Sequence, residues 1–143
     1  MKIGSRTLIV TLLVTFTILS APAVLSQPRT DQTKLASANG TGTIKLGREE
    51  FKLTSVLVKL LDNGQAEVTL VSEITIFLNG KWSSVPGQPH NFNLTISGGS
   101  SGGALDGTGT VNLNDDDKSV TRLSIKGTGR LSKKSIEITF QGQ

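Results

Sequence analysis

A chain of 143 residues without a cysteine can form neither a disulfide nor a thiolate metal site, so burial alone must hold it together. Fifteen Lys and Arg stand against eleven Asp and Glu, a formal net charge of +4 that falls to +2 without Lys2 and Arg6; so small a charge, spread without a cluster, gives no reason to expect a nucleic-acid partner.

The chain begins with Lys2 and Arg6 ahead of the apolar run Leu8 to Leu19, followed by small residues at Ala21 and Ala23. A charged start, a short apolar centre and small residues are the pattern of a secretory signal peptide, with cleavage expected between Ala23 and Ser26 and most simply after Ser26. The run is too short to span a bilayer comfortably, and no transmembrane segment is expected after its removal. A secreted or periplasmic address follows. Without residues 1–26 the chain keeps 117 residues, enough for one domain, with thirteen basic against eleven acidic side chains. Residues 27–38, polar and containing Pro28, read as a flexible leader.

From Asn39 to the C-terminus the pattern is short apolar alternation between turn residues. The strands expected are Thr41 to Leu46, Phe51 to Leu61, Gln65 to Leu78, Lys81 to Val85, Asn91 to Ser97, Leu105 to Leu113, Val120 to Lys126 and Ser135 to Phe140. The longest, Gln65 to Leu78, places Ala66, Val68, Leu70, Ile74, Ile76 and Leu78 on one face with only Ser72 breaking the row, and at about 46 Å it is expected to bend near Ser72 and Glu73 or to coil around a barrel. Asp62-Asn63-Gly64 and Asn79-Gly80 read as tight hairpins; Pro86-Gly87-Gln88-Pro89 and Gly98 to Gly103 read as longer connections. The fold class is all-β: a single antiparallel domain of seven to eight strands, closed as a small barrel or folded as a two-layer sandwich. Its expected core is Ile44, Leu46, Val68, Leu70, Ile74, Ile76, Leu94, Ile96, Val111, Leu123, Ile125, Ile138 and Phe140. The segment 40–46 is echoed at 107–113 and 66–70 at 136–140, which leaves open an internal duplication.

Catalytic motifs are weak, and no catalytic residue, cofactor or metal is expected. Gly98 to Gly102 matches G-x-S-x-G, but no helical pattern follows, and the lone His90 precedes the serine. The acids of Asn114 to Asp117 lack the glycine and glutamate of a calcium loop. The three Gly-Thr-Gly triplets open no helix and so make no phosphate loop. The segment Lys81 to His90 holds the only tryptophan and the only histidine, just after Phe77, and a loop aromatic with a polar handle suits a ligand mouth. Trp82, His90 and Phe77 are therefore the candidate ligand-binding residues. The expectation is a non-catalytic domain binding a small apolar or sugar-like ligand near the 81–90 loop; the alternative is a structural or surface-interaction domain with no small-molecule ligand. An enzyme ranks third.

Overall fold

A computed structural model describes residues 33–99 and 105–143. The expected signal segment and the serines of the G-x-S-x-G match lie outside the described residues. Eight strands follow one another: β1 (Lys34–Leu46), β2 (Glu49–Leu60), β3 (Gln65–Val71), β4 (Thr75–Val85), β5 (Gln88–Gly99), β6 (Leu105–Leu113), β7 (Val120–Gly129) and β8 (Ser135–Gly142). Each pairs antiparallel with the next, and β8 returns to β1 with Ile44 opposite Ile138, which closes the sheet into a barrel. Closure decides between the two expected architectures and leaves no free sheet edge between β8 and β1.

Alternation drives the closure. Val56, Val58 and Leu60 of β2, Val68 and Leu70 of β3, Phe92, Leu94 and Ile96 of β5, and Leu123 and Ile125 of β7 all point inward and are buried. Each such side chain contributes about 1.5–3 kcal/mol when removed from water. Glu67, Lys126 and Glu137 lie on the opposite face of their strands and are exposed. An apolar interior with a polar exterior is the reverse of a lipid-facing barrel. Among the described residues no helix is long and apolar enough to cross a membrane.

Several expected boundaries are corrected. Gln65 to Leu78 is not one strand: Ser72, Glu73 and Ile74 turn the chain back, with Val71 opposite Thr75. The Ser72 hydroxyl donates to the Lys52 carbonyl there. Ile74, placed in the core by its alternation, sits on this turn and is 50% exposed. Asn79-Gly80 is no hairpin; it lies inside β4, where the register with β5 shifts. Gly80 is required by close approach, because a β-carbon there would collide with the Thr95 carbonyl. Pro86-Gly87 is a tight turn and not a long loop: Val85 pairs with Gln88, and Gly87 takes a φ of 74° after a proline at the preceding position. That is the residue pattern of a type II turn.

β1 also begins earlier than the sequence indicated, so residues 34–38 of the expected leader are strand. The Ser37 amide donates to the Lys118 carbonyl, which ties the start of β1 to the β6–β7 connection. Finally, the echoed segments fall on β1 and β6 and on β3 and β8, pairs that run in opposite directions around the meander.

Candidate functional site

The two ends of the barrel differ. One carries the turns after β2, β4 and β6 together with the start of β1; the other carries the turns after β1, β3 and β7.

Two of the three expected site residues lie at the first end, and there they close it. Trp82 is half-buried: its indole N–H donates to the Leu61 carbonyl at 2.8 Å, and its backbone amide donates to Gly64. Its ring meets Phe92 edge-on, with centroids 5.5 Å apart and an interplanar angle of 83°. Above Phe92 stands the Lys34 ammonium, 5.7 Å from the ring centroid. It donates to Asp117 at 2.6 Å, and His90 Nδ1 donates to the other oxygen of the same carboxylate at 2.8 Å. Burial alone would raise the Asp117 pKa, but the hydrogen bonds from His90 and Lys34 outweigh it and hold the carboxyl below the usual aspartate value. Nearby, Asn114 Oδ1 accepts from the Lys118 and Ser119 amides and Asp116 Oδ1 from Lys118, so these oxygens shape the turn. Trp82 and His90 are thus joined through Phe92, Lys34 and Asp117 in a packed plug.

Phe77 does not join them. Lying on β4 between the inward Ile76 and Leu78, it pairs with Thr69 of β3 and is 49% exposed on the outside of the barrel.

Among the described residues, the opposite end is open. A cavity of about 250 Å³ enters the barrel there, lined by Ile44, Leu46, Phe51, Ile76, Leu78, Leu105, Ile136 and Ile138. At its mouth stand Ile74 and Leu131, the latter 81% exposed. Ser132 and Lys134 are the polar side chains in the lining. Both belong to the β7–β8 turn, which is internally braced: Lys133 donates its amide to Gly129, Gly129 donates to Lys134, and Lys134 donates to Ser132 Oγ at 3.3 Å. Arg130 anchors the turn to β6 with two parallel hydrogen bonds of 2.6 Å to Asp106. The hydrogen bond from Arg130 holds the Asp106 carboxyl below its usual pKa, against a weaker opposing effect of burial.

None of the cavity residues was among the expected ligand contacts. The available signal was Leu131, a large apolar residue inside the polar turn Arg130-Leu131-Ser132-Lys133-Lys134. In comparisons with known proteins, no family model, no curated protein and no solved structure matches this chain.

Proposed function

We propose that this chain is a non-catalytic binding protein, working outside the cytoplasm, that takes a small apolar ligand into the open end of its barrel. The observation that carries this reading is the cavity itself: apolar walls around about 250 Å³, a volume just under the range of roughly 300–1,000 Å³ usual for small-molecule sites. Eight-stranded barrels are just wide enough for their own side chains to fill or for one small ligand to enter. Here Trp82 and Phe92 pack together at one end, and the space remains at the other, among Phe51 and aliphatic side chains. The structural-domain alternative has less support, since β8 pairs with β1 and offers no open edge there to a partner strand.

The test is a plugged barrel. Ile136 is half-buried in the cavity wall, and Ile136→Trp places a large ring in the space. The wild-type protein is expected to bind medium-chain aliphatic compounds saturably by isothermal titration calorimetry, and the plugged variant to bind at least tenfold more weakly while melting as a folded barrel. Equal binding by a folded Ile136→Trp protein overturns the assignment.

A further inference from the structure

We infer that the ligand is an amphipathic anion, an alkyl chain ending in a carboxylate, with its head group held by Lys134; this deepens the reading above and rests on it. The lining divides by chemistry. Its depth is hydrocarbon from Ile44, Leu78, Ile136 and Ile138, while its polar side chains, Ser132 and Lys134, sit together at the mouth. No carboxylate lines the cavity among the described residues. A molecule apolar at one end and negative at the other matches that polarity, whereas a cation would face Lys134 directly.

The position of Lys134 is built. Its amide and carbonyl are fixed within the β7–β8 turn, and its methylene stem lies against Gly47 on the β1–β2 turn. A lysine held this way covers apolar surface with its stem and leaves the ammonium at the rim. The ammonium is also uncommitted. Among the described residues, the ion pairs join Lys34 and His90 to Asp117, Lys59 to Glu67, and Arg130 to Asp106. Arg130, the other cation anchoring this turn, is already neutralised by both oxygens of Asp106. Lys134 is therefore the cation at the mouth with a charge left to satisfy, and a carboxylate arriving there forms a charge-assisted hydrogen bond.

Octanoate, 1-octanol and octylammonium share one tail and differ in the head, so they separate the two readings. Calorimetric titration of the mature protein is expected to give octanoate about tenfold tighter binding than octanol, with octylammonium weakest, as a partly exposed charged hydrogen bond implies. Lys134→Gln should bring octanoate down to octanol, and Lys134→Glu should place it below. Lys133→Gln, on the same turn but outside the lining, should change neither. Thermal melting confirms that each variant is folded. If octanoate and octanol bind alike, or if Lys134→Gln weakens both equally, the head-group assignment is overturned while the apolar cavity stands. If none of the three binds, the proposed function falls with it.

Discussion

The same eight strands end in a plug on one side and a cavity on the other, and the difference lies in a few side chains. At the plugged end Trp82 packs edge-on against Phe92, its indole N–H is answered by Leu61, and the nearby Lys34 is answered by Asp117. That answer costs long-range ordering, since Lys34 and Asp117 lie 83 residues apart and His90 and Asp117 27. At the open end the ion pair of Arg130 with Asp106 braces the rim from outside and fills nothing. An aromatic pair with a polar staple closes one end of this barrel, while a single phenylalanine, Phe51, among aliphatic residues leaves the other accessible.

The comparison breaks most visibly at Trp82. Trp82→Ala removes a half-buried indole, its edge contact and its hydrogen bond, and should lower stability by about 2–4 kcal/mol in urea unfolding. Octanoate affinity, measured on the folded fraction, should not change, because the lost ring is at the far end from the cavity. A matching loss of affinity would move the ligand to the plugged end.

The next test addresses the staple. Asp117→Asn keeps the shape but deprives Lys34 and His90 of a negative partner, at a cost of about 1 kcal/mol at pH 7 for a site partly in water. Because the folded pKa of Asp117 is lowered, its contribution is complete above the ordinary aspartate value of about 4 and is lost as pH falls through the folded value. The stability gap between wild type and Asp117→Asn should therefore be full at neutral pH and close in acid below about pH 4. Asp106, lowered in the same direction at the open end, titrates in both proteins and drops out of the difference. A gap that persists in acid would mean that Asp117 acts through shape and not charge.

Most of the fold was legible because inward positions repeat every second residue, and Leu105–Leu113 was read with its observed ends. The error at Gln65 to Leu78 has a physical cause. Leu70 faces Ile76 and Val68 faces Leu78, so partners across the three-residue turn share parity, and the alternation keeps its phase through the turn with Ser72 as the single interruption. Gly80 misled for the opposite reason: a glycine demanded by a neighbouring strand resembles one demanded by a turn. The site was hidden more deeply. A cavity is space that side chains from several strands fail to fill, and no local pattern marks it; Trp82, conspicuous by being unique, packs on Phe92 at the other end.

Ile74 offers the smallest effect on the fold and the finest test of the open end. By alternation alone, Ile74→Asp should bury an unpaired carboxylate at a cost of several kcal/mol and unfold the domain. The turn at Ser72 to Ile74 leaves that side chain half in water, so the expected change is within about 0.5 kcal/mol. Its effect belongs instead to the ligand. A carboxylate at the mouth repels an incoming carboxylate and removes part of the apolar rim, so octanoate should weaken severalfold and octanol less, with the difference shrinking as salt is raised. Circular dichroism and urea unfolding check the first half, and calorimetry at two ionic strengths the second. Unfolding by Ile74→Asp would restore the single long strand and close the cavity mouth; a folded protein with unchanged octanoate binding would move the head group away from this rim.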